Sequence, residues 1–351
     1  MATLGEVSFY TRRIIKWGII VVLTVMITPF VWRLVKQIYL RLLPPPPPPP
    51  TVRYGKLPTL NYELPTTAYK PQLRLETKTN SLPILTKIGK VYFVETSKSR
   101  ILALDKVRIK ARSLGFSVEP VRMSDRIYKF THPLDPSTLT VDLISDKFNF
   151  QFDWTKDSEI YFANMTLSRD QITQEARNYF QNLGLLPSDI PETNTKISYL
   201  TVNRSKLVDA IAASEANFAR VDLFREGRDN MKFMTANGTE SPINITLGSG
   251  KFQARKVISA NFNYSKTLDN EFATYPLKST QEAWDELVSG GGIIVKPAGT
   301  QVVVRDIRLA YYESDQPQRF IQPIFVFEGD GGFVAYVQAI SPEYIDLTEP
   351  K

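Results

Sequence analysis

The chain has 351 residues, a net charge of +7 from 43 Lys and Arg against 36 Asp and Glu, no cysteine, and a single histidine, His132. That excludes disulfides, thiolate nucleophiles, Cys/His zinc sites and any catalytic constellation needing a second imidazole. Aromatic and β-branched residues are too plentiful for a disordered tail, and no Lys/Arg stripe interleaved with aromatics marks a nucleic-acid surface.

Residues 1–13 read as a short cytoplasmic tail and 14–43 as an apolar anchor helix. Residues 17–32 carry no charge. At about 1.5 Å per residue they fall slightly short of a hydrocarbon core of about 30 Å. Lys16 and Arg33 close the gap by snorkelling, and Trp17 and Trp32 take the interfacial positions. Pro29 inside the span should bend the helix. A signal peptide needs a small-residue cleavage site, whereas Arg33, Leu34, Val35 and Lys36 follow here, so the anchor is expected to stay uncleaved. Arg12, Arg13 and Lys16 on one flank balance Arg33, Lys36 and Arg41 on the other, so positive charge does not set the orientation. Everything foldable follows the anchor, which places the carboxyl-terminal part on the extracytoplasmic side of a single-pass cell-membrane protein.

Seven prolines, Pro44 to Pro50, form a polyproline stalk, and residues 51–90 form an extended Pro-rich arm in which Pro58, Pro65, Pro71 and Pro83 forbid a long helix. A first α+β module spans 91–155. In it a strand at 91–95 precedes a helix with Ile101, Leu104, Val107, Ala111 and Leu114 on one face and Gly115 as its stop. Strands follow at 126–130, 139–144 and 147–154. A second α+β region spans 160–345. Ser168 and Gln171 form a capping box for a helix lined by Ile172, Ala176, Phe180 and Leu183. The pattern then gives a strand at 196–202, a short helix at 206–219, a turn-rich stretch at 227–250 and a long strand at 253–264. A carboxyl-terminal unit at 276–340 opens with the capping box of Ser279 and Glu282. Its strands fall at 302–312, 320–328 and 332–339, the last two joined by a hairpin at Gly329, Asp330 and Gly331. The fold class is α+β, each module being a helix or two on a short antiparallel sheet.

Few motifs point to chemistry. Gly248, Ser249, Gly250 and Lys251 resemble part of a phosphate loop, but Phe252 stands where Ser or Thr is needed, so a turn is expected. Glu328 and Asp330 lack the alternating oxygen series of a calcium loop. His132 lies in a proline-punctuated loop and reads as solvated. Five Asn-x-Ser/Thr sequons occur, at Asn164, Asn203, Asn237, Asn244 and Asn263; a luminal domain of this size without a disulfide would be unusual, so they read as coincidental and a bacterial host is expected. No cofactor or metal is expected. Tyr311, Tyr312, Asp315, Gln316 and Arg319 combine aromatics with Arg in what reads as a surface-facing set, the composition of a partner-binding patch.

Ser279, Thr280, Ala283, Trp284 and Leu287, then 309–312, 322–327 and 333–337, resemble the carboxyl-terminal unit of the YycH/YycI regulators. Those are bitopic membrane proteins whose PepSY-like extracytoplasmic modules modulate a cell-wall-responsive histidine kinase. The likeness covers about the last seventy residues and the anchor layout. As a whole the chain resembles uncharacterised signal-anchored proteins of candidate-phylum bacteria, through Tyr54 to Pro58, Tyr275 to Lys278 and Phe325 to Asp330. The first likeness implies a regulatory module and the second only a bacterial source; the leading expectation is a non-enzymatic extracytoplasmic binding or regulatory protein acting on a protein or peptide partner. The alternative is a signal-anchored envelope enzyme acting on glycan or peptide polymer.

Overall fold

The computed structural model describes residues 4–42, 48–60, 69–79, 81–95, 103–157, 163–249 and 256–346. Most of the seven-proline run, the start of the first module helix and the Gly250 to Phe252 part of the GSGK motif lie outside the described residues. The chain divides into a unit at 1–49 and a unit at 50–351.

The first unit is helix α1 (Leu4–Leu42). It begins within the residues read as a tail, because 4–13 contain no proline to stop it. Within it Ile15–Tyr39 is long and apolar enough to cross a membrane, and none of its residues is buried. Lys16 and Arg33 bracket the uncharged stretch, and Trp17 and Trp32 are exposed at its ends.

The second unit is mixed helix and sheet. Its first elements are β1 (Leu57–Pro58), β2 (Gln72–Leu75), β3 (Ile88–Val94), α2 (Ala103–Ser113), β4 (Val121–Arg122), β5 (Ile127–Thr131), β6 (Ser137–Asp142) and β7 (Phe148–Phe152). Next come α3 (Arg169–Asn182), β8 (Thr195–Asn203), β9 (Lys206–Asp209), β10 (Phe218–Leu223), β11 (Phe233–Thr235), β12 (Ile243–Leu247), β13 (Val257–Phe262) and β14 (Thr267–Pro276). The last are α4 (Thr280–Ser289), β15 (Ile293–Lys296), β16 (Gln301–Glu313), β17 (Phe320–Gly329), β18 (Val334–Gln338) and β19 (Ile345–Asp346).

Among the described residues these strands make two large sheets and one small pair. The nine-stranded sheet runs β4-β5-β6-β7-β13-β12-β10-β8-β9, with every neighbour antiparallel. The eight-stranded sheet runs β11-β16-β17-β18-β15, with β2 beside β16 and β3 joining β17 to β14. The boundary expected between 155 and 160 therefore does not separate two sheets. Phe148 to Gln151 of β7 pair with Ser259 to Phe262 of β13 in one ladder, while β3 belongs to the other sheet. The described parts of the arm lie along this unit as extended chain. Val52 N–H donates to Thr274 O (3.0 Å), β1 pairs with β19, and β2 pairs with β16.

Each large sheet carries one well-capped helix. Ser168 Oγ accepts from Gln171 N–H while the Gln171 side chain accepts from Ser168 N–H, and α3 buries Ile172, Ala176 and Phe180 against Val221, Ile245 and Phe262. Ser279 and Glu282 make the same box for α4, which packs Ala283 and Leu287 on Phe325, Phe327 and Phe333 and stops at Gly290 in the left-handed region (φ 88°).

Three local expectations are corrected. Residues 206–219 are not a helix: Arg204 (φ 48°) and Ser205 (φ 63°) turn the chain as a tight hairpin, and Asn203 pairs with Lys206 across it. The stretch 227–250 is not all turn, because β12 is buried along its length inside the nine-stranded sheet. Asn244 masks that strand in the sequence, yet it sits in a cross-strand ladder. Asn149 donates to Asn261, and Asn261 donates to Asn244 (2.9 Å). His132 is not a solvated loop residue. Its Nδ1 accepts from Asp135 N–H (2.9 Å) and Leu134 N–H (3.3 Å), its ring stands edge-on to Phe116, and a Cβ on Gly115 would come 2.5 Å from its Nε2.

Candidate functional site

The chain passes from the nine-stranded sheet to the eight-stranded one after β10 and again after β13, and the buried polar residues Arg225, Ser265 and Thr267 lie at those crossings. Strand β10 is buried along almost all of its length, so a charged side chain just beyond its end is cut off from water and must find partners within the protein. Arg225 follows the buried strand β10. Its side chain is 2% exposed, yet it is held from all sides. Nε and Nη2 meet Asp189 Oδ2 at 3.0 and 2.8 Å, Nη1 donates to Ser265 O (3.2 Å), and Nη2 donates to Tyr264 Oη (3.2 Å). The guanidinium also lies over the rings of Phe233 and Tyr264, at 4.0 and 4.5 Å.

Two more groups complete this seam. Glu313, at the end of β16, is fully buried. Its Oε1 accepts from Ser265 N–H (2.5 Å), and its Oε2 faces Arg225 Nη1 at 3.5 Å without a hydrogen bond among the described residues. Burial pushes its carboxyl above the ordinary range, against the pull of Arg225. Lys147, just before β7, donates from Nζ to Ser314 O (2.7 Å), Gln316 O (3.2 Å) and Asp315 O (3.4 Å). Burial depresses its ammonium, opposed by Glu313 and Asp315. Two cations carried by the nine-stranded sheet thus grip the end of β16 and the loop after it, which belong to the other sheet.

A cleft of about 930 Å³ opens over this seam, lined from both sheets by Lys147, Asp189, Tyr264, Arg228, Asp269 and Gln318 among others. Its rim is shaped by a wide bulge in β14. Thr267 pairs with Val94 and Phe272 with Tyr92, so Leu268 to Glu271 loop out, and Leu268 is 41% exposed. Arg228 ties the bulge down through Asp269 (2.6 Å) and Thr267 Oγ1 (2.8 Å). Next to it Asp229 turns inward in the left-handed region (φ 52°) and accepts from Lys90 Nζ (2.6 Å), Tyr92 Oη (2.6 Å) and Tyr311 Oη (2.8 Å). Burial pushes the Asp229 carboxyl up, but those three hydrogen bonds outweigh it and hold the group below the usual Asp range.

The expected patch is broken up by this arrangement. Tyr311 and Tyr312 are both 0% exposed, because β16 is covered on its two faces: Tyr311 points to the α4 side and Tyr312 to the opposite side, edge-on to Tyr336. They are core residues, not a surface-facing pair. Arg319 is exposed, with its guanidinium over Phe320. Asp315 and Gln316 are half-buried, and their backbone carbonyls hold Lys147 in the cleft wall. The residues that build the cleft were missed because they come from distant strand ends. The one available signal was a single charge abutting an apolar run, as Lys147 before Phe148 or Glu313 after Tyr312. Elsewhere, Glu328 pairs with Arg308 and Asp330 with Arg305, and no group of three metal-ligating side chains occurs among the described residues.

No protein-family model matches this chain, and no curated protein matches it. Among solved structures it is similar to an uncharacterised protein from Eubacterium rectale, at 12% identity and a TM-score of 0.39, over 73% of this chain and 84% of that one. At that score the likeness assigns nothing to this chain.

Proposed function

We propose that this is a single-pass, membrane-anchored protein whose carboxyl-terminal unit is extracytoplasmic and binds a protein or peptide partner at the cell envelope, in a binding or regulatory role without catalysis or cofactor. The observation that carries the binding role is the cleft over the seam, since concave, preformed sites with a few fixed polar groups are where proteins hold ligands. The anchor part of the reading is supported by the long apolar helix segment Ile15–Tyr39. A regulatory role of the YycH/YycI kind remains part of this proposal, and the partner-binding surface moves from the 311–319 strand end to the cleft beside it. An envelope hydrolase is less well supported. Of the carboxylates lining the cleft, Asp189 is held by Arg225 and Tyr264, Asp269 by Arg228 and Glu95 by Lys266, and Glu313 beneath it is fully buried.

Two experiments on the full chain test this. Protease added to intact cells should remove the region after Pro50; protection of that region would overturn the extracytoplasmic assignment. A photoreactive side chain at Leu268, on the cleft rim, should crosslink one discrete partner in native membranes, whereas one at Val208 on β9 should not. Equal labelling from both positions would remove the cleft from the proposal.

A further inference from the structure

A second cavity, of about 270 Å³, opens beside the cleft beneath helix α2. Leu139 and Phe148 form its floor, Leu183 one wall, and Val107 and Ala111 its roof. It meets the cleft at Asp146 and Leu185, which line both. Only Ala111 of α2 is buried, so among the described residues the apolar underside of this helix is left partly unfilled.

The mouth of the cavity has a definite charge. Lys106 and Lys110, one turn apart on α2, both line it, and among the described residues its lining carries one carboxylate, Asp146, close enough to feel both lysines. Lys110 Nζ also donates to Leu183 O (3.3 Å), which fixes it at the edge of the pocket. Two ammonium groups against one carboxylate leave room for a single further negative charge, placed directly beside an apolar socket. The size suits one large apolar side chain, below the roughly 300–1,000 Å³ of pockets for whole small molecules. What continues outward is a cleft lined by charged and hydrogen-bonding groups, which suits a peptide main chain and would be a poor surface for the rest of an acyl chain.

We infer that the cavity under α2 takes the carboxyl-terminal residue of an extended peptide, its apolar side chain beneath Val107 and Ala111, its carboxylate on Lys106 and Lys110, and its preceding residues in the cleft. This rests on the cleft being a peptide site and adds which end of the peptide is read and by what. The carboxylate gains charge-assisted hydrogen bonds that an amide cannot make, and the buried side chain acts as the anchor. Lys106 and Lys110 select for the terminus, and the pocket selects for Leu or Phe over small or charged residues.

The test uses the full chain in lipid nanodiscs and fluorescently labelled Gly-Ser pentapeptides ending in Leu, Phe, Ala or Asp, each as free acid and as carboxyl-terminal amide. Free acids ending in Leu or Phe should bind, and their amides should bind about tenfold more weakly, the loss of a charge-assisted contact. Val107→Trp, which fills the socket, should weaken the free acids about thirtyfold, as loss of an anchor residue does. Because that variant could disturb the helix, Lys106→Gln with Lys110→Gln, at exposed positions, should separately erase the difference between acid and amide. Acids and amides that bind alike, are indifferent to Val107→Trp and are weakened by Asp269→Lys on the cleft rim would overturn the terminal pocket but keep the cleft. No peptide binding above empty nanodiscs would overturn both. Decanoate raising the melting temperature of the chain, but not of Val107→Trp, while no peptide binds, would make the occupant an acyl chain and overturn the proposal.

Discussion

Helices α2 and α3 lie against the same nine-stranded sheet and are held in different ways. Helix α3 has a complete capping box and three side chains, Ile172, Ala176 and Phe180, at 0% exposure in the core. Helix α2 buries Ala111 alone, presents Lys106, Ile109, Lys110 and Arg112 to solvent, and leaves a cavity beneath it. Both are amphipathic in sequence, so amphipathicity places a helix on a sheet without saying how tightly. The number of large apolar side chains that reach the sheet decides that, because burial contributes roughly 25 cal/mol per Å² and a helix of this length has little stability of its own. The difference separates a scaffold helix from one with a cavity beneath it.

The comparison breaks most directly in the core. Phe180→Ala should cost about 3–5 kcal/mol in urea unfolding, because it empties a site enclosed by Phe148 and Phe262. Val107→Ala on α2 should cost about 1 kcal/mol or less, since that side chain is only half-buried. Similar losses at both positions would mean that α2 is as much a part of the core as α3.

The loop after α3 is fastened as well, through Asp189 on Arg225. Arg225→Ala should destabilise by about 3–5 kcal/mol, because it leaves Asp189 and the fully buried Glu313 without their cation. Pairing it with Glu313→Gln should recover part of that loss in a double-mutant cycle; strict additivity would show that the two side chains are not coupled. By contrast the ion pairs of α2, Arg108 with Asp105 and Glu119, are at the surface, and Glu119→Gln should leave the melting temperature unchanged.

Smaller effects sharpen the contrast. Ser168→Ala removes the α3 cap and should cost about 1 kcal/mol. In the other sheet, Asp229 has a depressed carboxyl in the folded state, so it adds stability above the ordinary Asp range that is lost as pH falls through its lowered folded value. Acid unfolding of Asp229→Asn should therefore show a shallower loss of stability over that window than the parent chain. An unchanged acid limb would remove Asp229 from the account.

Much of the fold was legible because its signals are local. The capping boxes at Ser168 and Ser279, the glycine stops and the hairpin at 329–331 all depend on residues within one turn of each other. Strand β12 and the β8–β9 hairpin were misread for opposite reasons. In β12, Asn244 and Thr246 look solvated until the asparagine ladder across three strands is assembled. After β8, the run from Lys206 has helical spacing, but the positive φ at Arg204 and Ser205 had already turned the chain. Tyr311 and Tyr312 looked like an exposed set from composition, as aromatics near Arg319; neighbours on a strand face opposite sides, and both are buried because β16 is covered on each. The cleft was the least legible part. Lys147, Asp189, Arg225, Tyr264 and Glu313 are separated by up to half the chain and meet only where two sheets join.

Hydrogen exchange on the full chain, read residue by residue, tests the distinction on which the site rests. Amides of α3 around Ile172 to Phe180 should exchange only through global unfolding, while those of α2 from Val107 to Arg112 should exchange through a much smaller local opening, faster by about two orders of magnitude or more. Equal protection in the two helices would contradict the account, because α2 would then be fixed core and the cavity beneath it closed to any ligand.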